Sequence, residues 1–168
     1  MNYIPRFLKE KLNLYLKTFP AILITGPRQC GKSTLVFKEL PGYEHFDLER
    51  PADFRLVTSD PELFFKEHPN RICIDEVQRF PDLFPVLRYI IDTKRENGRF
   101  VLLGSAGSLL VKQLSDTLAG RLGILELTPF LLAELVRYVP WKTRWWYGGL
   151  PPLYTFDSDE QRTVWLDN

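Results

Sequence analysis

Two cysteines, one methionine and two histidines are all that this sequence offers in thiol, thioether and imidazole chemistry. Cys30 and Cys73 are not arranged as a spaced framework, which argues against a disulfide scaffold. His45 and His68 have no Cys or His neighbour at ligand spacing, which argues against a zinc site. Charge of one sign is also missing: 22 Lys plus Arg stand against 21 Asp plus Glu, for a net +1. That balance argues against a dedicated nucleic-acid coat, is compatible with a local basic patch and decides nothing about partners. No window approaches the roughly 20 continuous apolar residues of a membrane span, and residues 1–19 are charged throughout, unlike a signal peptide. Internal repeats and low-complexity segments are absent too. These absences predict a soluble, cytoplasmic protein with its thiols reduced and no membrane partner.

What is present is an ordinary globular balance, 45% apolar and 26% charged over 168 residues, enough for one mononucleotide-binding α/β unit. Leu8, Leu12 and Tyr15 recur at helical spacing over residues 5–19, with Pro20 as the stop. Residues 21–25 are an apolar run that suits a central parallel strand. The alternation continues with a helix over 32–40, a strand over 43–48 and two short helices over 51–67. Ser59 or Asp60 starts the second of these, with Pro61 in its first turn. A strand over 71–75, a helix carrying Leu83, Val86, Leu87, Ile90 and Ile91, and strands over 100–103 and 123–127 follow, then a helix over 129–138. Strands alternating with helices predict an α/β fold: a doubly wound, mostly parallel sheet of about five strands with helices on both faces. Composition shifts after residue 138, where all four tryptophans stand (Trp141, Trp145, Trp146, Trp165). The expected division is a nucleotide-binding domain over 1–138 and the start of a C-terminal region over 139–168.

The series Gly26-Pro27-Arg28-Gln29-Cys30-Gly31-Lys32-Ser33 matches the phosphate-loop pattern G-x-x-x-x-G-K-[ST], after an apolar strand and before a helix. Glycines let the backbone wrap so that its N–H groups point inward at phosphate oxygens, and the following helix adds its positive end. Gly26, Pro27, Arg28, Gln29, Cys30, Gly31, Lys32, Ser33 and Thr34 are therefore the expected nucleotide contacts, with Arg28 structural or solvent-facing. Lys32 is placed to reach the β- and γ-phosphates, and the Ser33 hydroxyl to ligate Mg²⁺. Ile72-Cys73-Ile74-Asp75-Glu76 is a hydrophobic run ending in two acids, weak alone but strong after a phosphate loop. Asp75 is the expected second metal ligand, directly or through water. Glu76 beside it would orient and deprotonate an attacking water, which favours hydrolysis over phosphate transfer to a small acceptor.

Ser105 follows the strand over 100–103 in Gly104-Ser105-Ala106-Gly107, where a polar side chain would sense the γ-phosphate or serve ordinary turn chemistry. Arg121 stands just before the last strand, either as a finger toward a neighbouring subunit's γ-phosphate or as a salt-bridged surface group. Gln78 and Arg79 are further polar candidates. The tail Trp141-Lys142-Thr143-Arg144-Trp145-Trp146-Tyr147 interleaves bases and rings; it reads as core or interface surface more than as a stacking platform for single-stranded nucleic acid.

Taken together, the loop, Ile74-Asp75-Glu76-Val77-Gln78-Arg79, Leu103-Gly104-Ser105, Leu118-Ala119-Gly120-Arg121 and Tyr147-Gly148-Gly149-Leu150-Pro151 resemble a large prokaryotic family of AAA+-like ATPases. Members carry a C-terminal domain of unknown function after the ATPase domain. The resemblance implies nucleotide, metal and catalytic roles for Lys32, Ser33, Asp75 and Glu76, a strand-end sensor at Ser105 and a finger-type arginine at Arg121. Leu103 stands where the family usually shows Thr. By the same resemblance the chain is expected to be truncated, its aromatic tail a seam onto a missing domain or a protein partner.

The sequence therefore predicts Mg²⁺-dependent hydrolysis of ATP to ADP and phosphate. ATP is expected over GTP because no Asn-Lys-x-Asp guanine-reading motif is present and the resemblance points the same way. Two other readings stand beside it: a nucleotide-dependent regulatory switch with negligible turnover, and a nucleic-acid-binding or remodelling module. A finger at Arg121 would imply a homo-oligomer.

Overall fold

A computed structural model describes residues 3–105 and 107–167. Met1, Asn2, Ala106 of the expected strand-end turn, and Asn168 lie outside the described residues. Among the described residues, one sheet holds five strands: β1 (Ala21–Gly26), β2 (Glu44–Asp47), β3 (Ile72–Asp75), β4 (Phe100–Ser105) and β5 (Leu122–Glu126). Their order is β2-β3-β4-β1-β5, and every pairing is parallel. β1 thus lies in the middle, with β4 on one side and β5 on the other. A parallel sheet collects its strand C-termini at one edge, and the loops leaving β1, β3 and β4 emerge there together.

Burial on both faces explains why these strands read as apolar runs rather than as alternating ones. In β1, Ala21 and Leu23 pack on one face, while Ile22 and Ile24 pack on the other. The first face is covered by α3 (Pro51–Ser59), α4 (Pro61–Glu67), α5 (Leu83–Thr93) and α6 (Ser108–Thr117), through Val57, Phe64, Phe65, Leu83, Leu87, Ile91, Leu110 and Leu114. The second face is covered by α1 (Leu8–Thr18) and α2 (Lys32–Glu39), through Leu12, Leu35 and Val36. Each such side chain contributes about 2 kcal/mol by leaving water. Asp60 caps α4 by accepting from the Leu63 amide at 2.9 Å, and Pro61 takes the first-turn position expected of it.

Two elements differ from the sequence reading. The reading gives no element between Ser105 and Gly123, yet α6 fills that interval, with Leu110, Leu114 and Leu118 four residues apart along its buried side. The helix expected over 129–138 shrinks to α7 (Leu132–Leu135). The chain entering it is committed elsewhere: the Leu127 amide donates to Thr25, the Thr128 carbonyl accepts from Arg6, and the Phe130 amide, within the expected range, donates to Gly149. Backbone used in tertiary hydrogen bonds is not free to close a helical turn. Beyond Val139 the chain forms α8 (Trp141–Tyr147), a 3₁₀ turn over Pro151–Tyr154 and α9 (Asp159–Leu166), none of them part of the sheet. Among the described residues, no helix is long and apolar enough to cross a membrane.

Candidate functional site

The loop between β1 and α2 sits at the C-terminal end of the central strand, where two glycines meet different demands. A Cβ on Gly26 would lie 2.2 Å from the Leu127 carbonyl oxygen, so β1 and the chain leaving β5 can approach only with hydrogen there. Gly31 has φ +97°, a backbone that L side chains rarely adopt, and it starts α2. Gln29 also takes a left-handed conformation, φ 61°. Pro27, Arg28 and Gln29 are exposed, Cys30 is buried, and Thr34 is exposed on the first turn of α2. Burial pushes the Cys30 thiol up, outweighing the lowering by Lys32 and Arg6; Cys73 is raised well above its ordinary value by burial in the sheet core and, secondly, by the Asp75 charge. Both thiols stay protonated and serve packing.

Lys32 is buried and folds back over its own loop, where Nζ donates to the carbonyls of Gly26 (3.1 Å) and Pro27 (3.0 Å). Ser33 Oγ donates to Asp75 Oδ2 at 2.5 Å across the gap between α2 and the end of β3. The other oxygen of Asp75 accepts from the Glu76 amide at 2.8 Å. Glu76 itself has φ 54°, ψ 42°, a left-handed conformation for a non-glycine residue at the strand exit. Its carboxylate accepts from Gln78 Nε2 in the 3₁₀ turn Val77–Arg79. Lys32, Ser33, Asp75 and Glu76 are thus brought together as the sequence predicts. A hydroxyl and a carboxylate from two elements are hard oxygen donors suited to a magnesium ion whose remaining ligands are water and phosphate. Ser105 pairs in register with Gly26 at the same edge of the sheet.

Arg121 is the exception. Its carbonyl accepts from the Ala21 amide at the start of β1, whereas the loop leaves the other end of that strand. The six residues of β1 separate the two ends by about 17 Å at ~3.3 Å per residue. Arg121 Nε and Nη2 donate to both oxygens of Asp92, at 2.6 and 2.9 Å. That bond holds the Asp92 carboxyl below its ordinary range. Within one chain, then, Arg121 is the salt-bridged group and not part of the loop's site. Arg79 is exposed and lies 4.0 Å from Glu49.

Residues that the sequence reading left unassigned close the site from above. Arg6, 5% exposed, donates from Nε to Glu134 (3.1 Å), from Nη1 to the Cys30 carbonyl of the loop (3.0 Å) and from Nη2 to the Thr128 carbonyl (2.6 Å). Glu134 also accepts from the amides of Phe7 and Leu131. The Arg6 guanidinium lies 4.7 Å over the Phe130 ring. A cavity of about 750 Å³ results, lined by the loop, Glu49 and Glu76 together with Tyr3, Ile4, Phe130, Pro151 and Pro152. No spacing rule pairs Arg6 with Glu134 across 128 residues. The signal for Pro151 and Pro152 was present in the Gly148-Gly149-Leu150-Pro151 motif, without a role attached. The tryptophans of α8 lie outside this cavity and are exposed, Trp145 by 77%.

Comparisons with known proteins agree with this geometry. Uncharacterized proteins of Mycobacterium tuberculosis and Mycobacterium bovis are each 41% identical over 160 residues, covering 94% of this chain. The chain spans 36% of the length of those relatives. Among solved structures, a Walker-type ATPase of Pyrococcus abyssi superposes with a TM-score of 0.54 at 15% identity, covering 89% of this chain and 65% of its own. A signal-transduction ATPase with numerous domains and a tetratricopeptide repeat sensor, from Pyrococcus horikoshii, gives 0.56 at 13% identity, covering 98% of this chain and 28% of its own. At such identities these two show the shared fold. The family of AAA domains matches residues 18–136, from the end of α1 to just beyond α7. The chain therefore belongs to that family, the nucleotide-binding AAA+-like P-loop ATPases of prokaryotes.

Proposed function

We propose that this chain binds ATP with Mg²⁺ at the loop over residues 26–34 and hydrolyses it to ADP and phosphate. The observation that carries the reading is the meeting of Ser33 Oγ with Asp75 Oδ2 at 2.5 Å, with Glu76 next in sequence and Lys32 on the same loop. Lys32 and the loop amides hold the phosphates, the ammonium exchanging its carbonyl partners for phosphate oxygens. Ser33 and Asp75 are the groups that would hold magnesium, which supplies neutralising charge at the β- and γ-phosphates. Glu76 orients a water molecule and takes its proton as the water oxygen bonds to the γ-phosphorus. The β–γ bridging oxygen leaves with its bonding electron pair on ADP.

The volume and lining of the cavity support a nucleoside at its upper side, with Tyr3, Ile4, Phe130, Pro151 and Pro152 offering apolar walls to a base. Burial and the hydrogen bond to Glu39 push the Tyr3 phenol up, so it remains a neutral donor there. On this reading residues 1–138 are the ATPase domain and 139–168 begin a C-terminal region, of which Pro151, Pro152 and Thr155 reach the site. Ser105 is the strand-end polar group nearest in register to the loop. Arg121 would act on a neighbouring copy only by leaving Asp92.

Nucleotide binding and phosphate release with Mg²⁺, measured on wild type, Lys32→Ala and Glu76→Gln, test the assignment. Wild type is expected to bind and turn over, Lys32→Ala to lose binding at least about 100-fold, and Glu76→Gln to bind with steady-state turnover lost and only a slow residual single-turnover rate left. A folded wild-type chain that does not bind ATP sinks the reading.

A further inference from the structure

Three local costs converge on one side chain beside the site. Glu76 sits in the left-handed region, φ 54°, where a non-glycine residue is strained. Gln78 Oε1 is buried and has no hydrogen-bond partner among the described residues. Gly104, near the end of β4, has no room for a side chain: a Cβ would stand 2.5 Å from Leu110 Cδ2 and 2.9 Å from Gln78 Oε1. Buried polar atoms without partners are rare, and a fold that keeps one beside a strained residue and a sterically required glycine is specifying a position.

From these observations we infer that Gln78 is a positioning residue for Glu76, fixing the carboxylate that activates water. The inference rests on the hydrolytic reading above. A carboxylate only accepts hydrogen bonds, so the NH₂ end of the Gln78 amide has to face Glu76. Its carbonyl is then turned against the wall made by Gly104 and Leu110, which explains why that oxygen is unpaired. Val77, wholly buried in the core between the two residues, anchors the 3₁₀ turn that carries Gln78 back over Glu76. The main chain is fixed as well, because the Glu76 amide donates to Asp75 and the Glu76 carbonyl accepts from Arg79. With backbone and side chain both held, the carboxylate has one orientation toward the cavity that it lines. The Gln78 amide donates and accepts but takes up no proton, so it acts through Glu76 rather than on the nucleotide.

The test is ATP turnover by Gln78→Met, which keeps length and removes the donor, in wild-type and Glu76→Gln backgrounds. In the wild-type background kcat is expected to fall about 10- to 100-fold, with KM and ATP affinity within about twofold. In the Glu76→Gln background the same substitution is expected to change the single-turnover rate by less than about twofold, because the group it positions is already disabled. If Gln78→Met lowers the yield of folded protein, Gln78→Leu also removes the donor without adding charge and carries the same expectation. Unchanged kcat overturns the inference, and so does a loss of equal size in both backgrounds. Failure of the hydrolytic reading looks different: wild type itself would release no phosphate.

Discussion

Between residues 21 and 127 the molecule is held by apolar burial on both faces of one sheet, whereas the cover above the loop is held largely by polar ties. Among the described residues, the cover has one small apolar cluster of Ile4, Leu135 and Val139, flanked by Phe130 and Tyr154. Its main fastening is the Arg6–Glu134 pair, with side chains 3% and 2% exposed, which also reaches the loop carbonyl of Cys30. α8 and α9 bury no residue. Apolar burial is non-directional and sums over many side chains, so the sheet tolerates local change. A buried ion pair depends on geometry and fails when either partner is lost. On the proposed function, the difference suits a frame that stays fixed and a cover that opens to admit a nucleotide.

Removing the fastening should have the largest effect. Arg6→Ala leaves Glu134 buried and uncompensated, a loss of about 3–5 kcal/mol by the usual behaviour of such pairs. Urea unfolding monitored by tryptophan fluorescence, with all four tryptophans beyond residue 138, checks it. A midpoint like that of wild type would show that the cover does not depend on the pair.

A smaller effect is expected at the opposite end of the sheet. The Tyr43 hydroxyl donates to the Gly98 carbonyl, and burial pushes its phenol from 10.0 up to about 12, against the lowering by Arg71. A folded value above the unfolded one means that this contribution is complete below pH 10 and is lost as pH rises toward 12. Tyr43→Phe should cost about 1 kcal/mol near neutrality and flatten the decline of the midpoint across that window. A pH profile parallel to that of wild type would sink this assignment.

The smallest effect belongs to the exposed tail. Trp145→Ala should shift stability by less than about 0.5 kcal/mol, with nucleotide affinity unchanged, because the side chain is 77% exposed and outside the cavity. A shift of 1 kcal/mol or more, read from the same urea curves, would mean that the tail is packed more firmly than its exposure indicates (a threshold taken from the ordinary range of surface substitutions, about ±0.5 kcal/mol).

Much of the frame was legible along the chain. The apolar run of β1, the loop glycines and the acids ending β3 are short-range patterns, and a parallel sheet gathers strand ends at one edge whatever the sequence between them. The missed α6 was legible in principle, since Leu110, Leu114 and Leu118 recur at helical spacing. The shortened α7 was not, because the backbone of Leu127, Thr128 and Phe130 leading into it is claimed by Thr25, Arg6 and Gly149, none of them a sequence neighbour.

The sequence by itself determined the nucleotide-binding loop, the paired acids and the α/β alternation, since each is written within a few consecutive residues whose backbone and periodicity admit few alternatives. Only the tertiary structure decided that Arg121 lies at the far end of the sheet in the grip of Asp92, and that Arg6, Phe130 and Pro151 roof the loop. It also decided that Gln78 turns back onto Glu76. Contacts of that kind follow from strand order, from which face of the sheet each segment crosses and from what is left unpaired when the core closes, and no local pattern encodes them.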